Sequence, residues 1–429
     1  MIHIRAAVAV PPAANKTTGA AMLAAALLAS AAIASPARAG PLTFEEAIAR
    51  AQANAPSLQA TTLGADARRA ARRAAGALPD PKLSFGIDSF PISGPLAFQP
   101  SRDDFTWVRV GVSQDIPNAA KRKAQRTRAD ADIAVTEASA VLEMRNVEVE
   151  TALAWITLAY ARKRLAAVEA VRAKLDRLVR TTPAAVAAGN VRPGQTLAGR
   201  QSIAELDDRR DELVAAVGRA RADLTRWTGE TAPTIAGPIP DFAVDGSSLR
   251  ASLDSNPALA PVEARIGQAA ADIRLADADR KSDFGVEATY QHRDPRFGDY
   301  VSAGVTVSLP FFTRRRQGAL IAARQAEAGK AGADREAARR ALAANLDAGL
   351  ADHAMHHSQW MRSRATIEPL ARERVDLETA SYGAGRASLV DVVDAHIALA
   401  DAALLTLDRE ALVEIDGARL TLTYRSAAR

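Results

Sequence analysis

Three histidines lie close together in the second half of the sequence. His353, His356 and His357 form an HxxHH pattern, and Met355 and Met361 lie beside it. Residues three or four apart share one face of a helix, so two imidazoles point the same way, which suits zinc or copper. A single helix supplies too few ligands without a partner chain. The pattern therefore leaves two interpretations open, a solvated helix surface and a transient metal contact.

Sequence motifs of enzymes are absent. The chain has no phosphate-binding glycine loop, no HExxH, no GxSxG and no cysteine. The lack of cysteine excludes disulfides, thiolate metal sites and an acylated N-terminal cysteine. Basic and acidic residues are interspersed rather than gathered in one patch, so nucleic acid is not an expected partner. We therefore expect a protein that is not an enzyme and that carries no cofactor.

Residues 1–39 have the features of a secretory signal peptide. They contain three basic residues and no acidic one, an apolar stretch at 20–34, and a small-x-small cleavage site at Ala37-Arg38-Ala39. The apolar stretch is shorter than the roughly 20 residues of a membrane-spanning helix, which favours cleavage over an uncleaved anchor. From Gly40 onwards no run of 18 apolar residues occurs. Any membrane attachment after cleavage is therefore expected to come from strands.

The remaining chain repeats one order of parts twice. In each half an aromatic-bearing pair of strands ends in a proline, and a long alanine-rich helical run follows and ends at a glycine. Pro117 and Gly189 are 72 residues apart, and Pro310 and Gly385 are 75 residues apart. Two unrelated domains would not share this spacing, so the pattern predicts two copies of one structural unit.

The repeats have predicted boundaries. The first repeat spans 40–230 and the second 248–429, with a linker rich in Pro, Gly and Asp at 231–247 between them. The predicted strands are about 82–92, 105–115, 283–291 and 300–309. The predicted long helices are about 118–186, 195–228, 311–382 and 387–423.

The long helices have coiled-coil spacing. Residues 118–182 lack Pro and Gly, and apolar residues recur at steps of seven in several series. The series are Leu142, Val149 and Ile156; Leu158 and Leu165; Val168 and Leu175; Val171 and Leu178. Such a helix is roughly 100 Å long, so it has to pack lengthwise against other helices. Glycines in the turns that follow, Gly189, Gly383 and Gly385, predict antiparallel helical hairpins.

The predicted strands alternate apolar and polar residues. In the third strand, Phe284, Val286, Ala288 and Tyr290 alternate with polar residues or glycine. Period two with one apolar face is typical of a barrel strand with lipid outside and water inside. Phe105 and Trp107 have the opposite parity to the valines of the second strand, and we assign them to an interfacial aromatic belt. A soluble sandwich with one buried face is the alternative.

Four strands cannot close a barrel. An open edge in lipid leaves backbone groups unpaired, at several kcal/mol each. Bacterial barrels begin at about eight strands, so several chains have to contribute. Two chains give about eight strands with a filled interior, and three give about twelve with a lumen. The strand count alone predicts an oligomer and leaves its size open.

The whole chain after the signal resembles the TolC family of outer-membrane efflux proteins. The resemblance rests on LTFEEAIARAQANAPSL near the start, the strand-to-helix junctions at Pro117 and Pro310, and SYGAGRASLVDVVDAHIAL from Ser381 to Leu399. GALPDPKLSFGIDSFPI and VGVSQDIPNAAKRKAQR look most like the heavy-metal branch, the CzcC and CusC type. Relatives often carry a lipid-modified cysteine, which this chain lacks.

The resemblance implies a mainly α fold with a membrane β-barrel part. Two repeats of long antiparallel hairpins would form an α-barrel, and four strands per protomer would contribute to a trimeric 12-stranded β-barrel. The implied function is the outer-membrane channel subunit of a tripartite efflux system, a passive export duct for heavy-metal cations with a periplasmic helical extension. The implied partners are two sister chains, outer-membrane lipid, a periplasmic adaptor (membrane fusion) protein and an inner-membrane pump of the RND type. The alternatives are a duct for organic toxins or drugs and a periplasmic coiled-coil adaptor.

The resemblance also places a periplasmic gate near the second hairpin turn. The family's acidic rings match Asp391 and Asp394, and three copies of a carboxylate around a narrow axis would attract cations. Tyr382 matches a gate-locking position, whereas the usual basic residue after it stands one place early, as Arg386. The other interpretation is that Ser388 and Asp391 form a capping box at the start of the last helix.

Overall fold

The computed structural model describes residues 40–187 and 193–426. The signal peptide predicted at 1–39 and the turn glycine Gly189 lie outside the described residues. Within the described ranges, no helix is long and apolar enough to cross a membrane.

In its described residues the first repeat contains four helices and two strands. Its elements are α1 (Phe44–Asn54), α2 (Pro56–Ala74), β1 (Lys82–Asp88), β2 (Trp107–Ile116), α3 (Ala119–Ala187) and α4 (Pro193–Thr228). Helix α1 is capped by Thr43, whose hydroxyl accepts from the Glu46 N–H while the Glu46 carboxylate accepts from the Thr43 N–H. This capping box explains why the helix starts there. Strand β1 ends earlier than predicted because the chain turns at Ser89, which has a φ of 56°.

The second repeat presents the same order of parts. Its elements are α5 (Gly246–Ala251), a 3₁₀ turn (Leu253–Ser255), α6 (Ala260–Ala278), β3 (Phe284–His292), β4 (Tyr300–Val307), α7 (Gln317–Arg362), a π-helical turn (Ser363–Ile367), α8 (Glu368–Gly383) and α9 (Leu389–Tyr424). The expectation of two repeats of long helical hairpins with four strands is confirmed.

The predicted continuous helix at 311–382 differs from the observed one. Helix α7 begins at Gln317, after a turn at 311–316, and the π-helical turn interrupts the run at Ser363. Pro369 lacks the N–H that a helix interior requires, and its ring crowds the preceding turn. Arg409 of α9 donates to the Gln359 carbonyl (3.2 Å) and to the Ser363 hydroxyl. The widened turn is therefore held from outside by a residue of another helix.

A central core surrounds Trp155 of α3. Its indole is 1 % exposed, its Nε1 donates to the Leu42 carbonyl (3.1 Å), and the Phe44 ring meets it edge-on at 5.7 Å. Leu42 also forms a parallel bridge to Ile235 in the linker. One buried tryptophan thus connects the start of the first repeat, its long helix and the segment between the repeats.

A second core lies at the far end of the hairpins. Several of the residues spaced by seven in α3 are buried here, and they pack against α4 and α9. The buried members are Val168, Val171, Leu175, Leu206, Leu389, Val393, Ala400 and Leu404. The coiled-coil spacing therefore marks the face of α3 that the other helices cover.

Asn118 joins the two repeats where strands become helices. Its side chain donates to the Asp283 carboxylate (2.8 Å) and to the carbonyls of Ala278 and Lys281, and its Oδ1 caps α3 by accepting from the Lys121 N–H (2.8 Å). The Asn118 backbone N–H also donates to Asp283 (2.8 Å). A buried amide with this many partners fixes the angle between strand and helix.

Replacing Asn118 with alanine should lower the free energy of unfolding by about 2–3 kcal/mol, since a helix cap and several buried hydrogen bonds are lost together. Asn118→Ser keeps an acceptor for the cap and should recover about 1 kcal/mol of that loss. Urea denaturation of the detergent-solubilised protein, followed by circular dichroism, measures both. Equal stability of the alanine variant and the unmodified protein would contradict a joining role for this amide.

Candidate functional site

The four strands form one antiparallel sheet in the order β1-β2-β3-β4. The register places apolar residues opposite one another across all four strands. One row, for example, runs Phe85, Val110, Tyr290 and Val301. Directly opposed residues point to the same face of a sheet. The alternation predicted strand by strand thus becomes one continuous apolar face.

The apolar face is exposed within the chain. Phe85 is 73 % exposed, Val301 79 % and Val305 71 %. A continuous apolar face across four strands that is exposed in this way marks a surface that meets lipid or another protein.

The opposite face of the sheet is polar. Lys82 pairs with Asp115 (2.7 Å) and Arg109 with Asp88 (3.2 Å), and Glu287, Thr289 and Gln291 of β3 lie on the same face by parity. Trp107 lies on this face too, where its Nε1 donates to the Asp88 carboxylate (3.1 Å). A sheet with one apolar and one charged face matches a wall between lipid and water.

Both edges of the sheet are open within the described residues. β1 pairs only with β2, and β4 only with β3. Each edge therefore presents a row of backbone N–H and C=O groups that no other described strand satisfies.

The second hairpin turn has a glycine-dependent geometry. The Gly385 N–H donates to the Tyr382 carbonyl (2.9 Å) and the Arg386 N–H to the Ser381 carbonyl (2.8 Å), with Gly385 at a φ of 72°. This is the Schellman pattern, which requires a left-handed residue at the position of Gly385. Gly383 is the last residue of α8, and its φ is not positive. Of the two turn glycines described, only Gly385 is needed for its backbone conformation.

The two candidate gate carboxylates have different surroundings. Asp391 forms a capping box, because its carboxylate accepts from the Ser388 N–H (2.7 Å) and its own N–H donates to the Ser388 hydroxyl (3.3 Å). These hydrogen bonds from Ser388 hold the pKa of Asp391 below its usual range. Asp394 lies almost one turn further along α9, is exposed, and has no ion-pair partner among the described residues. Asp394 is therefore the free carboxylate of the pair.

Tyr382 and Arg386 do not form a lock within one chain. Tyr382 is half-buried against the second core, at the far end of the hairpins, and the Arg386 side chain is exposed with no partner in the described ranges. Two residues beyond Asp394, His396 lies near Lys174 and Asp376, and burial lowers its pKa. His396 was not singled out from the sequence, where it appears only as an isolated histidine.

Comparison with known proteins identifies this arrangement. The family model described as outer membrane efflux protein matches residues 249–423, which is most of the second repeat. The second repeat of this chain therefore matches the outer membrane efflux protein family. The predicted resemblance is thereby confirmed.

Relatives of this outer membrane efflux protein extend over both repeats. The cobalt-zinc-cadmium resistance protein CzcC of Cupriavidus metallidurans is 22 % identical over 372 residues, covering 83 % of this chain and 84 % of the relative. A solved membrane protein from Pseudomonas aeruginosa matches with a TM-score of 0.75 at 16 % identity, covering 89 % of this chain and 90 % of that one. CusC matches with a TM-score of 0.73 at 14 % identity, covering 90 % and 92 %. The efflux protein therefore has the fold of these structures along nearly its full length.

The histidine cluster of the efflux protein is divided between different neighbours. His356 pairs with Asp416 of α9 (2.6 Å), whereas the His357 ring meets Trp360 edge-on at 5.7 Å. His353 is partly buried, which lowers its pKa, and its Nδ1 has no partner in the described ranges. No group of three His, Asp or Glu residues among those described could hold a metal ion. A metal contact at His353, His356 and His357 stays a prediction that requires ligands from another chain.

Proposed function

We propose that this efflux protein is one subunit of a trimeric export duct, in which each copy contributes four strands to the wall in the outer membrane. The observation that carries the proposal is the sheet with one exposed apolar face, one charged face and two open edges. Four strands are too few to close, so sister chains complete the wall. Two copies would give an interior filled by side chains, and three give about twelve strands and a water-filled lumen.

The helices of the second hairpin also indicate contact with a neighbouring chain. Helix α7 has 46 residues, and Leu346 is its one buried residue. Leu320, Met355, Met361 and, on α8, Leu370 and Leu377 are exposed apolar side chains. A helix of this length that buries almost nothing in its own chain gains its packing from a neighbouring chain.

The duct is tested by assembly and conductance. Protein extracted from membranes with detergent should have the mass of three chains and should form pores of uniform conductance in planar bilayers. A periplasmic adaptor would be extracted by salt alone and would give no pores. A detergent-solubilised single chain without conductance would refute the proposal.

We propose heavy-metal cations as the cargo, handed over by a periplasmic adaptor and an inner-membrane pump of the RND type. The cargo assignment is supported by the name of the relative CzcC, a cobalt-zinc-cadmium resistance protein. Deleting this gene should sensitise the host to at least one of cobalt, zinc, cadmium and copper, and the plasmid-borne gene should restore resistance. Sensitivity confined to organic toxins would instead assign the duct to those compounds and leave the pore itself in place.

Asp394→Asn should lower the preference of the pore for cations over anions while leaving stability unchanged. The reason is that its carboxylate is exposed and unpaired, so three copies near the axis act only on passing ions. Asp391→Asn should instead lower stability and leave the ion preference unchanged, because its carboxylate is engaged in capping α9. Reversal potentials in a salt gradient and thermal unfolding measure the two effects.

The paired design separates the gate from the cap. Equal loss of cation preference in both variants would mean that Asp391 faces the pore in spite of its capping bonds. No change in selectivity in either variant would remove the acidic constriction from this turn and leave the rest of the duct untouched.

A further inference from the structure

Two exposed phenylalanines and three arginines lie shortly after β4, beyond Ser308, Leu309 and Pro310. Phe311 is 78 % exposed and Phe312 81 %, and Arg314, Arg315 and Arg316 are all exposed. These five residues, here called the FF-RRR segment, form a turn whose backbone is internally bonded. The Arg316 N–H donates to the Phe312 carbonyl (3.3 Å), and the Gly318 N–H to the Thr313 carbonyl (2.6 Å).

The arginines of this segment lack partners within the chain. In the described ranges none of the three guanidinium groups has an ion pair or a side-chain hydrogen bond, although Arg316 borders a cleft that also contains Asp279 and Asp283. The corresponding junction of the first repeat is different. There Lys121 pairs with Asp279 (2.9 Å) and Arg122 donates to the Gly76 carbonyl (2.9 Å). Among the described residues, the first junction leaves one cation free, the exposed Lys123, whereas the second leaves three arginines free beside two exposed aromatic rings.

The position of the segment along the sheet is defined by the register. β4 ends at Val307 opposite Phe284, and the Ser308 N–H donates to the Asp283 carbonyl (2.9 Å). The two phenylalanines therefore come three and four residues beyond the last hydrogen-bonded pair, at the end of the sheet where the helices begin. If the strands span the hydrocarbon layer, aromatic rings at this level lie at its boundary and the arginines reach the headgroups.

We propose that the FF-RRR segment binds the phosphate of an anionic phospholipid in the leaflet on the helical side of the membrane. Phe311 and Phe312 enter the acyl boundary, and Arg314 and Arg315 hold the phosphate by charge-assisted hydrogen bonds. This inference rests on the proposed duct, since it requires the strands to be in a membrane.

A neighbouring chain could also cover the FF-RRR segment, but the count of charged residues at this position favours lipid. If β4 pairs with β1 of the next copy, that copy brings Asp80 and Lys82 to the same end of the sheet. Lys82 is already paired with Asp115, which leaves one carboxylate, Asp80, for three arginines. Within the chain itself, Lys121 is shared by Asp279 and Asp283, so this group offers Arg316 one further negative charge. At least one positive charge per junction still remains without a protein partner, and a phosphate headgroup neutralises it.

Native mass spectrometry of the detergent-solubilised oligomer tests the proposal through lipid retention. The unmodified protein should retain phosphatidylglycerol in preference to phosphatidylcholine with the same acyl chains. Arg314→Gln with Arg315→Gln should weaken phosphatidylglycerol binding roughly 10- to 30-fold and leave phosphatidylcholine unchanged, as each cation near an anionic surface contributes about fivefold. Phe311→Ser with Phe312→Ser should weaken both lipids.

The matched control is a second pair of exposed arginines. Arg219 and Arg221 of α4 are exposed and have no ion pair among the described residues, and they lie far from the sheet along the hairpin. Arg219→Gln with Arg221→Gln should leave lipid retention unchanged. An equal loss in both double variants would reduce the effect to net charge and overturn the site.

Other outcomes also decide against the site. Unchanged phosphatidylglycerol binding in the FF-RRR variants overturns it, and so does full competition by inorganic phosphate, which would indicate a free-anion site. The arginines would be assigned to the subunit contact if two variants each converted the oligomer to single chains. These are the double variant Arg314→Gln with Arg315→Gln and the single variant Asp80→Asn. If the arginine variant does not assemble, the test is made on the unmodified protein at high salt. Its preference for phosphatidylglycerol over phosphatidylcholine must then disappear, because salt screens the charges, and a preference that persists overturns the site. Failure of the unmodified protein to form an oligomer refutes the duct instead.

Discussion

Replacing Trp155 with alanine is expected to lower the free energy of unfolding by about 3–5 kcal/mol. The indole is almost fully buried, and its removal leaves a cavity between Phe44 and the long helix. The Leu42 carbonyl also loses one of its two donors and keeps only the Ala236 N–H (2.9 Å). Since Leu42 bridges to Ile235, the linker between the repeats should loosen together with the core.

Two further tryptophan variants separate packing from hydrogen bonding. Trp155→Phe fills most of the cavity without the N–H, and it should cost about 1–3 kcal/mol. Trp360→Ala is the matched control, because Trp360 is half-buried on α7 and its Nε1 has no partner in the described ranges. Urea denaturation followed by circular dichroism measures all three. Equal losses for Trp155→Ala and Trp360→Ala would contradict a central role for the Trp155 core.

The repeating parts of the fold could be predicted because they follow from periodicity. A spacing of seven between apolar residues places Val149 and Ile156 on one face, and likewise Val168 and Leu175, and all four are buried. Alternation in the strands likewise gave the correct apolar residues. When the strands pair in register, Val110, Tyr290 and Val301 fall in one row. A local sequence pattern is enough to predict burial where the environment of the residues repeats at a fixed interval along a helix or strand.

The irregular parts could not be predicted, since they depend on contacts between distant segments. The π-helical turn needs Arg409, 46 residues beyond Ser363, as well as the nearby Pro369. The joining role of Asn118 needs Asp283, 165 residues away. The position of Asn118 just after Pro117 and before a long helix was a capping signal that could have been recognised. Nothing in the sequence indicated that Arg409 would reach the Ser363 turn.

At the second hairpin turn, the gate interpretation and the cap interpretation apply to different residues. Asp391 and Asp394 both matched the expected acidic rings, and the capping box was an alternative for the first. In the structure Asp391 is engaged in that cap, whereas Asp394 is free. Sequence spacing placed both carboxylates near the turn. It could not distinguish them, because the cap depends on the backbone conformation of Ser388.

Val305→Pro is expected to convert the oligomer to single chains and abolish conductance. The Ser308 N–H donates inward to Asp283 of the neighbouring segment. In an antiparallel strand the direction alternates, so the Val305 N–H points to the open edge of β4. Proline removes that donor and blocks the approach of another strand, yet edge strands tolerate it, so the chain's own sheet should persist. In a trimer the loss occurs at three interfaces, each leaving a carbonyl unpaired in lipid at a cost of several kcal/mol.

Val305→Ala is the matched control for the edge, because it shortens the same side chain and keeps the backbone donor. It should assemble and conduct like the unmodified protein. Light scattering of the detergent-solubilised variants gives the number of chains, and planar bilayers give conductance. If the proline variant assembled and conducted as the alanine variant does, β4 would not pair with another chain. The wall would then have to close without this edge, which four strands per chain cannot do, so the proposed duct would fail with it.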